Sequence, residues 1–269
     1  WGRKGPDAHA LSFDYTGIAR SGLMMSAGEK DSPPAQILPG IGDELGALAC
    51  AWGVTAALYA REKTGKGQLL DTSLMGSVIA SLGLIMAAPA ILGQEFPREV
   101  RALAGNAMYN HYRCQDGKWI ALAHLQPEKY WPKVCRALGL EEIITDPMFD
   151  SIEARSRKAA ELVAMFDSKF ASKTRSEWLE ILDEAECICT PVQTPSEVAD
   201  DPQALANKYF VEYDHPKHGV TKMVGFPWDF SETPAECSKP APELGEHTEE
   251  ILKEIGYSDE QIKRILQNM

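Results

Sequence analysis

The run from Asp43 to about Glu62 constrains the fold most: it is rich in Ala and Gly, with larger apolar residues at Leu45, Trp52, Val54 and Leu58. The pattern predicts a helix, and so many small residues require it to pack very closely against neighbouring backbone. A Pro-rich loop from Asp31 to Gly42, punctuated by Pro33-Pro34 and Pro39-Gly40, leads into it. Lys63 to Gly67 forms a basic, Gly-punctuated exit, and Gln68 to Thr72 reads as a short strand. The next run, Ser73 to Gln94, carries no charge and is long enough to test as a membrane span. Its interior Pro89, its Gly and Ser content and its flanks at Asp71 and Glu95 favour a buried helix pair instead.

Upstream of this block, Gly5 to about Gly28 reads as a short helical stretch. Downstream, from about Ala104 to Leu205, the pattern becomes a second α/β unit. Trp119 to Ala123 forms a strand after the turn Gln115-Asp116-Gly117, and Pro127 to Leu138 an amphipathic helix. Helices start at about Ser151, at Thr174 with Glu177 three residues on, and at Thr194 with Pro195 and Glu197; the last two are capping boxes. A connector with Pro227, Pro234, Pro240 and Pro242 leads to two short helices, the second capped by Ser258 with Gln261. The expected division is 1–100, 101–207 and 208–269.

At 269 residues and 44% hydrophobic the chain can bury a substantial core, so it is globular. Its formal net charge of −12, without a basic patch of useful size, argues against duplex nucleic acid or an anionic membrane as partner. Cys50, Cys114, Cys135, Cys187, Cys189 and Cys237 form no CxxC pair and no metal-ligand spacing. They read as reduced thiols of a cytoplasmic protein, with Cys187 and Cys189 as buried strand positions. His215 and His218 bracket Pro216 and Lys217 but lack the further ligands a metal would need. The first residues, Trp-Gly-Arg-Lys-Gly-Pro, are not a signal peptide.

Gly40-Ile-Gly42-Asp43-Glu44-Leu45-Gly46 is not a dinucleotide-binding loop. Its spacing is GxGxxxG, a proline rather than a strand precedes it, and an Asp at the helix start would repel a pyrophosphate. What remains is a carboxylate at a helix N-terminus, with glycines that leave room for something bulky to approach. Asp43 fits a plain N-cap; it also fits a nucleophile, because a helix start favours the ionised form that attack requires.

Several blocks, in order, then resemble the class III CoA-transferases, the CaiB/BaiF family that includes formyl-CoA transferase. They are Ser12-Phe-Asp-Tyr-Thr-Gly-Ile-Ala-Arg-Ser-Gly-Leu-Met24, Pro39-Gly-Ile-Gly-Asp43, Ala57-Leu-Tyr-Ala-Arg-Glu-Lys-Thr-Gly-Lys-Gly-Gln68 and Asp71-Thr-Ser-Leu74. Asp116-Gly-Lys-Trp-Ile120 and Pro242-Glu-Leu-Gly-Glu-His-Thr248 continue the series. The resemblance implies an α/β fold with a Rossmann-like large domain, whose N-terminal part precedes this chain, a smaller α/β domain, and an interlocked homodimer. It implies Asp43 as nucleophile, acyl-CoA and a carboxylic acid as substrates, and coenzyme A as cosubstrate with no permanent cofactor and no metal. Asp14 falls where the family has an acidic residue near the active site, and Phe13 where a relative uses Tyr beside the CoA thioester arm. Gly42 belongs to the turn before the nucleophile, and Gly105-Asn106 lie where the family has a glycine-containing loop over the site, without its extended glycine run. A separate chain supplying the N-terminal part is the alternative assembly.

Two other functions fit parts of this pattern. An α-methylacyl-CoA racemase of the same superfamily needs a His immediately before the position of Asp14, where this chain has Phe13; His9 is four residues too early. A non-catalytic partner subunit could use Ser or Asn at position 43, so the retained Asp argues against it.

Overall fold

A computed structural model describes residues 1–215, 217–236 and 241–267, in two compact units, 1–192 and 193–269. Cys237 and Pro240, and the Pro216 between His215 and His218, lie outside the described residues.

The first unit opens with turns and two short helices, α1 (Asp14–Arg20) and α2 (Leu23–Ser26), separated by Gly22 at φ 87°, a backbone that favours glycine. The long helix α3 (Ile41–Thr64) follows, starting two residues before Asp43, after Gly40 at φ 88°. The dense small-residue packing expected of it occurs along one side. A Cβ on Gly42 would come 2.9 Å from the Ile18 side chain, one on Gly46 2.9 Å from Leu74, and one on Gly53 2.8 Å from Leu70. The chain beyond α3 therefore returns along that helix by setting leucines into the gaps that glycines leave.

Gln68 to Thr72, expected as a strand, lies in an irregular exposed segment. No strand pairs with it among the described residues, and Leu70 docks on α3 rather than in a sheet. The uncharged run forms α4 (Leu74–Ser81), capped by Ser73 Oγ on the Gly76 N–H at 3.0 Å, then α5 (Gly83–Ala87) and a π-helical turn over 88–92. The axis bends by 83° between the two halves. The pair is helical as expected but less buried: Val78 is enclosed, while Leu84, Ile91 and Leu92 face solvent. By length and composition alone α3 could cross a membrane.

A second core in the same unit surrounds a three-stranded antiparallel sheet, in the order β1 (Tyr109–Arg113), β2 (Trp119–Ala123), β3 (Cys189–Val192). Against it pack α6 (Pro127–Leu138), α7 (Ile152–Arg157), α8 (Ala159–Phe170) and α9 (Arg175–Glu184), with Tyr112, Ile120, Trp131, Phe166, Phe170, Trp178 and Leu182 at the centre. The aromatic cores keep their polar tips satisfied: Tyr112 Oη donates to Ala107 O at 2.6 Å and Trp178 Nε1 to Phe170 O at 2.9 Å. Arg155 is buried with its guanidinium 4.5 Å from the centre of the Trp131 ring, donating to Phe149 O and to Glu128. Cys187 and Cys189 pack on this core, only Cys189 within a strand, and burial raises the thiol pKa of each.

The second unit holds α10 (Pro195–Val198), α11 (Pro202–Ala206), the antiparallel hairpin β4 (Phe210–His215) and β5 (Gly219–Val224), then α12 (Thr248–Glu254) and α13 (Asp259–Gln267). The three boxes predicted from sequence form as read: Thr174 with Glu177, Thr194 with Glu197, and Ser258 with Gln261. Helix and sheet are mixed as an α/β chain requires, and every strand pair among the described residues is antiparallel.

Candidate functional site

Asp43 is the third residue of α3, and its side chain is exposed. The N-cap is Gly40, so Asp43 does not cap the helix, and its carboxylate has no hydrogen bond or ion pair among the described residues. Asp14, the first residue of α1, does the capping instead. Its Oδ2 accepts from the Gly40 N–H at 2.8 Å, and its Oδ1 from Gly42 at 2.7 Å and Asp43 at 3.1 Å. Those bonds, that of Gly40 foremost, then Asp43 and Gly42, hold the Asp14 carboxyl below the usual carboxylate range against the opposing effect of partial burial.

The seat is cut to fit. A Cβ on Gly42 would come 2.8 Å from Asp14 Oδ1, so only glycine lets α1 and α3 meet in this way. Gly42 is thus buried beneath Asp14 and Ile18, and the room it leaves is taken by the chain itself. α1 is held in turn by Thr16, whose Oγ1 accepts from the Phe13 N–H at 3.0 Å.

Asp43 opens onto a shallow cleft of about 460 Å³, lined also by Trp1, Arg3, Ser12, Asp71 and Ser73. Arg3 is the cationic member of this lining, facing a wall that includes two carboxylates. A larger groove of about 770 Å³ lies between α2 and α5 and includes Arg20, Lys30 and Arg98, but neither Asp14 nor Asp43 reaches it. The smaller cleft is the candidate site because Asp43, at the start of α3, lines it.

The other nominated residues are placed apart from it. Phe13 is 80% exposed and outside the cleft lining. Gly105 and Asn106 belong to the second core: Asn106 Nδ2 donates to His124 O at 2.9 Å, its Oδ1 accepts from the Met108 N–H, and Gly105 packs beside Ser156. The structure therefore brings together Asp14, Gly42 and Asp43, and leaves Gly105 and Asn106 elsewhere in the unit. Arg3 and Ser12 were not foreseen as cleft residues, since nothing in a lone Arg or Ser signals that the first turns fold back toward α3. Among the described residues no cluster of His, Cys, Asp and Glu has the makings of a metal site.

This fold is that of a recognised class. The model of CoA-transferase family III matches residues 1–248, and the chain belongs to that family. It is 35% identical over 265 residues to (R)-2-hydroxy-4-methylpentanoate CoA-transferase of Clostridioides difficile, covering 97% of this chain and 65% of that protein. It is 29% identical to cinnamoyl-CoA:phenyllactate CoA-transferase of Clostridium sporogenes, covering 98% of this chain and again 65% of the relative. A CAIB/BAIF family protein from Brucella suis has a similar structure, with a TM-score of 0.84 at 26% identity over 95% of this chain and 66% of that one. The chain thus spans about two thirds of the length of these relatives.

Proposed function

We propose that the chain belongs to a CoA-transferase that moves coenzyme A from an acyl-CoA donor to a carboxylic acid, with Asp43 as covalent nucleophile. The observation that carries this is the division of labour at the start of α3. Asp14 satisfies the helix N-terminus, which leaves the Asp43 carboxylate free, exposed and in a cleft. A carboxylate kept only for capping would be bonded to the helix it caps.

Every step of the chemistry balances on this one side chain. The Asp43 carboxylate attacks the thioester carbonyl, the C–S bond breaks, and CoA leaves as thiolate, with an acyl-aspartyl mixed anhydride remaining on Asp43. The thiolate attacks the aspartyl carbonyl, releasing the donor carboxylate and leaving an aspartyl-CoA thioester. The acceptor carboxylate attacks that thioester and expels the thiolate, which then attacks the acceptor's acyl carbonyl to give the new acyl-CoA and regenerate the Asp43 carboxylate. No net proton is consumed, so the site needs exclusion of water more than a general acid. Arg3 offers a carboxylate or a phosphate an ionic partner at the cleft wall.

The relatives are named for (R)-2-hydroxy-4-methylpentanoate and for cinnamoyl-CoA with phenyllactate, which supports an organic acid acceptor for this chain. The working assembly is a cytoplasmic homodimer. The exposed apolar face of α3 supports a partner surface, and five cysteines left free among the described residues support a reducing setting.

The test is peptide mass spectrometry of the intact protein after acyl-CoA and hydroxylamine. Modification is expected at Asp43 alone, and Asp43→Ala should lower acyl exchange roughly 10³-fold or more. An unmodified chain that still binds CoA would instead mark a partner subunit. Solvent deuterium entering the α-carbon without acyl exchange would mark a racemase.

A further inference from the structure

Asp14 is bonded to the backbone of the residue proposed to be the nucleophile. Its two oxygens share three N–H donors: that of Gly40, whose φ of 88° sets the chain's entry into α3, and those of the second and third helical residues, Gly42 and Asp43. The Glu44 N–H makes the first bond of the helix itself, to Gly40 O at 2.9 Å. The cap thus comes not from the helix's own N-cap residue, which is a glycine, but from a different helix 26 to 29 residues earlier in the chain. A carboxylate has about four acceptor sites, and here three are occupied by backbone, which leaves little to offer a substrate.

We infer that Asp14 is a positioning residue for the transfer reaction: it fixes the first turn of α3 so that the Asp43 carboxylate faces the cleft, and it touches no substrate itself. The inference rests on the proposed role of Asp43. It gives Asp14 a task other than binding coenzyme A or acid. It also takes the Gly40, Gly42 and Asp43 N–H groups out of use as oxyanion donors, because they are already spent on Asp14.

The geometry makes Asp14→Asn a graded probe, since the amide keeps one acceptor oxygen but turns an NH₂ toward backbone N–H groups, while Asp14→Ala removes both acceptors. In the intact protein kcat should fall about tenfold for Asp14→Asn and about a hundredfold for Asp14→Ala, the scale on which a small misplacement of a reacting group costs rate. KM for acyl-CoA should stay within about twofold, because no substrate contact is lost. Acylation of Asp43, followed by mass spectrometry, should slow by the same factor as kcat, and amide exchange at residues 40–44 should quicken. Gly42→Ala is the second variant, for the case in which Asp14→Ala fails to fold. Its Cβ would come 2.8 Å from Oδ1 and 2.9 Å from the Ile18 side chain, pushing the carboxylate off its donors without deleting it, and any of this variant that folds should show the same loss of kcat at constant KM, with Asp14→Asn as the mildest of the three.

A rise in KM at constant kcat would overturn the inference in favour of a substrate-binding Asp14. Unchanged kcat per folded molecule with a lowered Tm would overturn it in favour of a purely structural cap. Asp43→Ala is run alongside: if that variant still exchanges acyl groups, the nucleophile reading itself has failed and this inference with it. If it is inactive, the outcome for Asp14 stands on its own.

Discussion

His124 shows how one buried side chain can make this fold sensitive to acid. Its ring is fully buried, Nε2 accepts from the Ile188 N–H at 2.9 Å, and Nδ1 lies 3.2 Å from Met108 O. Nδ1 must therefore carry the proton and Nε2 must not, so the ring joins the ends of β1, β2 and β3 only when neutral. Burial lowers its pKa, with the Met108 carbonyl opposing. The folded state then binds fewer protons than the unfolded chain, whose histidine titrates near about 6.5, so this contribution is complete above that pH and is lost as pH falls below it toward the folded value. Urea midpoints at pH 7.5 and 5.0 should show a smaller acid loss for His124→Gln than for the parent; equal losses would mean that another group titrates. The same residue scale explains what the sequence hid at the site. Asp43 could be nominated from the family resemblance, with its local turn fitting a plain N-cap as well, but the capping of its helix by Asp14 spans 26 to 29 residues, and no local pattern records such a bond.

Local elements were legible wherever their signal was local. Thr174 Oγ1 accepts from the Glu177 N–H, and the Glu177 carboxylate accepts from the Thr174 N–H at 2.8 Å, so α9 begins where the box placed it. The Thr174 hydroxyl, donating to Glu177 Oε2 at 2.6 Å, and after it the Thr174 N–H hold the Glu177 carboxyl below its ordinary range. Thr174→Ala should cost about 1 kcal/mol, read as a lower urea midpoint at unchanged slope. An unchanged midpoint would show that water replaces the hydroxyl without loss. Elements whose identity depends on neighbours were not legible. Gln68 to Thr72 has β-compatible residues, yet a strand exists only through its partner, and here Leu70 found a glycine on α3 instead. The start of α3 moved for a similar reason: Gly40 and the distant Asp14 carboxylate together extend the helix two residues ahead of Asp43.

The whole molecule holds one well-filled core, around the three-stranded sheet, and one that is sparse. Around α3 the enclosed apolar side chains are Ile18, Met24 and Val78, while Leu48, Trp52, Val54, Leu58 and Tyr59 on the helix itself are exposed, Trp52 to 81%. A helix this apolar gains little from α1 and α4 alone, and its outer face is larger than the scattered exposed apolar residues normal on a soluble surface. With the proposed homodimer, that face is where a second copy would remove water from α3. Trp52→Glu discriminates, because a charge on a face open to water changes stability by no more than about 0.5 kcal/mol, whereas a charge buried without a partner is severely unfavourable. In the intact protein the substitution should shift sedimentation from dimer to monomer and lower acyl exchange in proportion, while far-UV circular dichroism stays near that of the parent. Unchanged sedimentation would show that α3 faces solvent in the working protein, and the dimer would then have to form through another surface.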